Sequence, residues 1–275
     1  MKNRIKYGIR FLVEKIVHIL FSNEKVRNVA SNSDYFISKD RLKSMLSVLE
    51  LAKASKRDSL IENFHLSKSQ LGQDLFVLLA LDFKTTGFFV EFGATDGIEL
   101  SNTFLLEKVY GWGGILAEPG KVWQSRLRKN RNVILDNRCV YSESGKKLEF
   151  LESNVHATLS GIHSLREESG HGRQYSVESV SLFDLLRAGY APETIDYMSI
   201  DTEGSEFEIL KGFDFNSYKF RVITVEHNFR PEESEIIDLL SSHGYEQVAA
   251  HASGIEAWFV NKAFDYPNIS QLLSS

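Results

Sequence analysis

The acids and the histidine in two short stretches, IDTEG and VEHN, are residue types that move protons or hold metal ions. His227, or one of the acids Asp201, Glu203 and Glu226, can take the proton of a hydroxyl and free its oxygen for attack. Alternatively, Asp201, Glu226 and His227 can hold one Mg²⁺ or Mn²⁺, which would lower the hydroxyl pKa. In a purely structural reading, Glu203 and Glu226 cap helices or pair with Arg230 and Lys211. Asp201-Thr202-Glu203 is also a loose D-x-D, the pattern by which nucleotide-sugar glycosyltransferases hold a metal on a diphosphate.

A third stretch, FFVEFGATDG from Phe88 to Gly97, has the character of a ligand-binding turn. Glu91 interrupts an apolar run, and Gly93 and Gly97 flank the turn. Their missing Cβ atoms let backbone N–H groups approach a ligand closely. Thr95 lies between the two glycines, so the dinucleotide fingerprint G-x-G-x-x-G fails. An acid at Glu91 can take the ammonium of an amino-acid-bearing cofactor. Glu118, closing the run GGILAEP, can bind two ribose hydroxyls, or else is an exposed strand-end acid. Asn102 and Thr103 either cap the following helix, which is the default, or bind the cofactor's carboxylate.

These residues need a scaffold that brings them to one edge. From Gly87 onward apolar strands and amphipathic helices alternate, which predicts an α/β fold with a largely parallel sheet. The strands are FFVEFGA, GGILAEP, NVILDNRCVYS, DYMSIDTEG and RVITVEHN, with KKLEFLES as an edge strand or hairpin. Helices follow from Leu100, around Trp123 and Leu127, and in LFDLLRAGY, SEFEILKGFDF and PEESEIIDLLSSHGY, where Pro231 marks the start. YEQVAAH and IEAWFVNK form a closing antiparallel hairpin. Open sheets of this kind bind ligands at the carboxyl ends of their strands, where Glu91, Glu118, Asp201 and Glu226 fall. Asn154 to Gln174 lacks apolar periodicity and reads as a partly helical lid. Its His156, His163 and His171 read as solvated loop residues.

Ahead of this core, Ser38 is placed to cap a helix through Leu42, Met45, Leu46, Leu49 and Ala52. Ser69 is placed to cap a second, QLGQDLFVLLALDF, whose Gln70, Gln73 and Asp74 lie off its apolar face. Ile5, Ile9, Leu12, Val13, Ile16, Val17 and Leu20 share one face of an N-terminal helix flanked by basic residues. That face fits packing on the domain, a homodimer, or peripheral contact with anionic lipid. The division expected is a helical extension over 1–65 and a catalytic domain over 66–275.

Composition narrows the classes. The formal net charge of −5 argues against nucleic acid as a partner. The single cysteine, Cys139, excludes an intrachain disulfide, fits a reducing cytosol and reads as a packing residue. Glu14, Lys15 and His18 break the N-terminal apolar run, which argues against a signal peptide.

FVEFGATDGIELSNT, ILAEP, SVSLFDLL, IDYMSIDTEGSEFEILKGFDF and the strand ending VEHN resemble, in the same order, the FkbM family of S-adenosylmethionine-dependent methyltransferases. The resemblance runs from about Ser69 to Val260, and IDTEGSEFEILKG is its most specific piece. It implies a class I, Rossmann-like methyltransferase fold, with a seven-stranded sheet and a reversed last hairpin. It further implies methyl transfer to an oxygen, often on a sugar or natural product. By that similarity Glu91, Gly93, Ala94, Asp96, Gly97, Asn102 and Glu118 line the cofactor. Asp201, Glu203, Glu226 and His227 stand near a small-molecule or glycan acceptor. The rivals are a metal-dependent glycosyltransferase and a non-catalytic cofactor-binding protein. If the N-terminal helix meets lipid, full-length protein floats with anionic vesicles and a version lacking residues 1–30 does not; equal flotation removes that contact.

Overall fold

The computed structural model describes residues 39–153, 160–162 and 172–269. The N-terminal helix expected before Ser38, the cap at Ser38 and the three loop histidines lie outside these residues. The first described elements are helix α1 (Lys39–Leu51), helix α2 (Arg57–Asn63) and helix α3 (Gln73–Ala80). The α3 sequence QDLFVLLA is buried on every side, Gln73 and Asp74 included, so it has no solvated face. Ser69 does not cap α3. Gly72, at φ +81°, stands at the cap position, and the Ser69 hydroxyl instead donates to buried Asp74 at 2.6 Å. Met45, Val48 and Leu60 of α1 and α2 pack in one cluster with Phe76 and Trp258, so these helices share the domain's core.

The main sheet has seven strands. They are β1 (Phe88–Phe92), β2 (Gly113–Ala117), β3 (Ile134–Asp136), β8 (Thr194–Ile200), β9 (Lys219–Glu226), β10 (Tyr245–Val248) and β11 (Glu256–Asn261). Their spatial order is β3-β2-β1-β8-β9-β11-β10. All neighbouring pairs are parallel except those made by β11, which runs against β9 and β10. The expected seven-stranded sheet with a reversed last hairpin is therefore present. Apolar side chains from opposite faces of β1 feed two clusters, Phe89 into one and Val90 and Phe92 into the other. Helices α4 (Phe104–Lys108) and α5 (Gln124–Asn130) follow β1 and β2, while α6 (Leu182–Ala188), α7 (Glu206–Lys211) and α8 (Glu233–Ser242) follow the later strands.

The expected third strand, NVILDNRCVYS, is two strands in two sheets. Asp136 accepts from the Arg138 backbone N–H and pairs with its guanidinium at 2.6 Å, turning the chain after β3. The continuation, β4 (Cys139–Tyr141), joins a second, four-stranded sheet ordered β4-β7-β5-β6. Its other strands are β5 (Lys147–Ser153), β6 (Gly161–Ile162) and β7 (Gly172–Ser181). The described parts of the expected lid are thus strand, not helix. Cys139 packs with Phe150, Ile162 and Val177 in this small sheet's own core. Tyr175 ties the sheet to the loop after β2, accepting from the Lys121 backbone N–H at 2.9 Å and donating to Glu152 at 2.8 Å.

One ion pair locks the central strand to the helix after β2. Arg131, whose side chain is fully buried, lies 3.7 Å from Glu91 and also pairs with Glu107. Breaking a buried pair leaves an uncompensated charge and costs about 3–5 kcal/mol. Arg131→Met should lower stability on that scale in urea unfolding. Adding Glu91→Gln to it should restore part of the loss.

Candidate active site

A cleft of about 240 Å³ opens at the carboxyl ends of β1, β2, β8 and β9. Its apolar walls are Phe92, Pro119, Trp123, Val140, Phe150 and Ile162, the last three from the second sheet or its edge. Its acids are Glu91, Glu99, Glu118, Asp201, Glu203 and Glu226, and no Lys, Arg or His lines it among the described residues. Such a surface attracts cations and repels unshielded phosphates.

The glycine turn has a different physical reason from the one expected. A Cβ on Gly93, at φ +77°, would stand 1.9 Å from the Asp201 carbonyl oxygen. Glycine is required so that the ends of β1 and β8 can meet, and Gly93 also lines the cleft. Gly97, at φ +80°, is packed under Arg131 and Leu127 and does not line the cleft. Asp96 is turned inward on its own loop, accepting from the Ile98 and Glu99 N–H groups, each at 2.9 Å. Ala94 is buried in the core. Of the seven expected cofactor residues, the cleft therefore gathers Glu91, Gly93, Asn102 and Glu118, and not Ala94, Asp96 or Gly97.

Glu91 accepts from the Asn102 N–H at 2.7 Å, from Ser101 at 3.1 Å and from Thr103 at 2.5 Å. Burial raises its pKa, and Arg131 and these donors act against the rise. The Thr103 hydroxyl thus serves Glu91 and makes no cap bond on α4. Glu118 accepts from the Thr95 N–H at 2.8 Å and the Gly120 N–H at 2.6 Å. It is buried, not an exposed strand-end acid, and burial pushes it up to about 7.

Across the cleft, ligand atoms of Asp201, Glu203 and Glu226 lie within 4.8 Å of one another. The Asp201 and Glu226 carboxyls are close enough in this cluster for each to shift the other's proton affinity. Both hold protons more tightly than usual, because burial and neighbouring acids disfavour a second charge. Glu226 Oε2 is buried without a hydrogen-bond partner. Glu206 accepts from Thr202 and Gly204, fixing the loop that carries Glu203. His227 is outside this group. It does not line the cleft, and its Nδ1 accepts from the Phe229 N–H at 3.0 Å. The expected metal set of Asp201, Glu226 and His227 is thus replaced, geometrically, by three acids.

The sheet order, the reversed strand and a strand-end cleft define a class I methyltransferase. The chain belongs to the FkbM methyltransferase family, since the model of the methyltransferase FkbM domain matches residues 91–246, more than half of its length. By family and fold its activity is S-adenosylmethionine-dependent methyl transfer. No curated protein matches the sequence. Among solved structures it is distantly similar to precorrin-6y C5,15-methyltransferase from Geobacter metallireducens GS-15, at 15% identity and TM-score 0.37 over 63% of this chain and 70% of that one. It is similar to a human methyltransferase 10 domain containing protein at 13% identity and TM-score 0.38, over 81% and 98%. It is also similar to MtNAS in complex with MTA and tNA, at 11% identity and TM-score 0.35 over 90% and 81%.

The residues present fit the cofactor. Asn102, which lines the cleft, donates to Ser199 at 2.9 Å, while its buried Oδ1 has no partner. An unpaired buried acceptor costs about 1–3 kcal/mol unless a ligand donor satisfies it. Each Glu118 oxygen holds one N–H and keeps a lone pair for a hydroxyl. Six acids without a lining cation suit a positively charged sulfonium.

The cleft acids, together with Glu256, which is buried and accepts from Gln73 and Trp258, give the fold a pH dependence. Glu118 and Glu256 are raised from 4.5 to about 7, and Glu226 is also raised. Between 4.5 and those values the folded chain binds more protons than the unfolded one, so stability falls as pH rises. The thermal midpoint of the ligand-free protein should be several degrees lower at about pH 8 than at about pH 5.5. Glu118→Gln should flatten part of that slope.

Proposed function

We propose that the chain methylates a hydroxyl oxygen of a sugar or related polyhydroxylated acceptor. The observation that carries this reading is the clustered Asp201–Glu226 carboxyl pair, in which Glu226 keeps an unpartnered Oε2 and lines the same cleft as Gly93 and Glu118. When bound, S-adenosylmethionine supplies a methyl group on a sulfonium that departs as a neutral thioether. Glu118 holds the ribose hydroxyls, and Asn102 Oδ1 accepts from the amino-acid end. Asp201 keeps its proton and donates to Glu226, so Glu226 Oε2 is the base that takes the acceptor's hydroxyl proton. Glu203 adds a second acceptor for neighbouring hydroxyls. Orientation in such a site can supply on the order of 7–11 kcal/mol of the barrier, and a placed base about 10²–10⁴-fold.

Of the bases the sequence leaves open, His227 or one of the acids, this assignment takes an acid. A divalent cation on Asp201, Glu203 and Glu226 is the competing way to ease hydroxyl ionisation, supported by their mutual spacing. Nucleotide-sugar transfer is disfavoured because the cleft offers a diphosphate no cationic side chain among the described residues.

Calorimetry with S-adenosylmethionine, S-adenosylhomocysteine and nucleotide sugars, each with and without Mn²⁺, separates these readings. Binding of the adenosyl compounds alone is expected, weakened by Glu118→Ala. Glu226→Gln should lower kcat about 10²–10⁴-fold and weaken S-adenosylmethionine binding far less. In the wild type, kcat/KM should rise with pH as Glu226 loses its proton near 8, and the rise should vanish in Glu226→Gln. Chelation should leave the rate unchanged; loss restored by Mg²⁺ or Mn²⁺ would instead assign the acids to a metal.

A further inference from the structure

His227 and Phe229 are left unused by the chemistry above, yet their geometry is specific. Directly after β9, Asn228 and Phe229 both adopt positive φ, at +47° and +56°. Two consecutive residues with side chains in that region are costly and persist only where the surroundings impose them. The imposing contacts are in the structure. The His227 and Asn228 N–H groups both donate to the Ile255 carbonyl, at 2.9 and 3.1 Å. The Arg230 N–H donates to the His227 carbonyl at 2.7 Å. The Phe229 N–H donates to His227 Nδ1 at 3.0 Å, and the two rings meet edge to face at 5.4 Å. Nδ1 also lies 3.4 Å from Glu233. A backbone N–H can only donate, so Nδ1 is the acceptor and its ring proton sits on Nε2.

The result is an aromatic ring held out in water. Phe229 is 71% exposed, while His227 beneath it is 5% exposed. Asn228, between them, lines the cleft. Leu100, from the loop after β1, also lines the cleft while 43% exposed and at φ +58°. Tyr190 is likewise an exposed ring at positive φ, but away from the cleft, so what distinguishes Phe229 is its place directly after cleft-lining Asn228.

We infer that Phe229 is the acceptor platform of the cleft, stacking on the apolar C–H face of a pyranose ring, and that His227 is the positioning residue that holds it there. The chemistry is complementary. A pyranose presents hydroxyls at its edge, which acids accept, and C–H groups on its face, which an aromatic ring packs. The acids line the cleft together with Asn228, and the projecting ring is the next residue in the chain. The inference rests on the reading of the site as a sugar O-methyltransferase, and the test keeps the two apart.

Full-length protein with S-adenosylhomocysteine is mixed with a panel of methyl hexopyranosides, and saturation transfer to their ring protons is read by NMR. Transfer is expected in the wild type, lost in Phe229→Ala and kept in Phe229→Trp. His227→Leu should lose it, and His227→Asn, whose Oδ1 can stand in for Nδ1 as acceptor, should keep it. For any glycoside that is methylated, Phe229→Ala should raise acceptor KM about two- to tenfold with little change in kcat or in S-adenosylmethionine KM. Absence of transfer in the wild type, or equal transfer in Phe229→Ala, overturns the platform. Normal transfer without methylation of any glycoside leaves the platform standing and overturns the reaction assigned above.

Discussion

A carboxylate in the middle strand of a buried sheet must find a counter-charge, and much of this site follows from how Glu91 finds one. Its partner is Arg131, at the end of α5, with no exposed surface. Arg131 does more than neutralise. It donates to the Gly97 carbonyl at 3.1 Å, to Ser101 at 3.0 Å and to Thr103 at 2.9 Å, so it fixes the loop after β1 along its length. Glu91 completes the hold by accepting from the Asn102 N–H. With its backbone pinned, the Asn102 amide has one end on Ser199 and the other, unpaired, in the cleft. A charge pair that costs desolvation to bury thereby sets the position of a ligand acceptor.

This network explains which parts of the molecule could be read in advance. The main strands, the glycine turn and the closing hairpin follow local rules of periodicity and glycine placement, and each was legible in the residues. Arg131 was not, because it lies far from Glu91 in the chain and, directly after QSRLRKN, looks like an ordinary basic residue at a helix end. Gly93 was found for an incomplete reason. Its spacing signalled a tight turn, but the atom it avoids, the Asp201 carbonyl oxygen, belongs to a strand more than a hundred residues later. The family resemblance places Asp96 and Gly97 in the cofactor set, whereas the loop's own bonds and the Arg131 side chain engage them in the structure. The second sheet was hidden because β4 is three residues long and separated from β3 by only Asn137 and Arg138. Ser69 had the right type for a cap but a stronger claim from buried Asp74.

The reactive side of the cleft shows the opposite balance of forces from Glu91. There no arginine lines the cleft among the described residues, Arg230 approaches Glu203 only to 4.0 Å, and Asp201 and Glu226 meet their cost by holding protons more tightly. That arrangement is unfavourable for the empty fold at neutral pH and favourable for one that receives a cation. A positive ligand lowers the carboxyl pKa values toward their ordinary range, returning the base to its working form when the methyl donor is bound. The carboxyl pair and the cofactor charge are then linked thermodynamically: whatever binding does to the proton affinity of Glu226, the protonation of Glu226 must do in return to binding.

Part of the backbone strain follows the same map, while Asp82, Phe83, Thr86, Tyr190 and Ala249 are at positive φ away from the cleft. Thr95, Leu100, Glu203 and Asn228, all cleft-lining residues with side chains, have positive φ, as does Phe229 beside them. These loops come from three different strand ends, so no single sequence motif accounts for the clustering. Their common feature is the edge they share. A parallel sheet delivers its strand ends side by side at one edge, and each chain must turn back sharply there to avoid filling the cleft. The glycine positions handle the turns in which a carbonyl or a buried side chain comes too close for any Cβ. The strained residues handle turns in which the side chain itself is needed in the cleft, and the core behind them holds the conformation that they would not adopt alone.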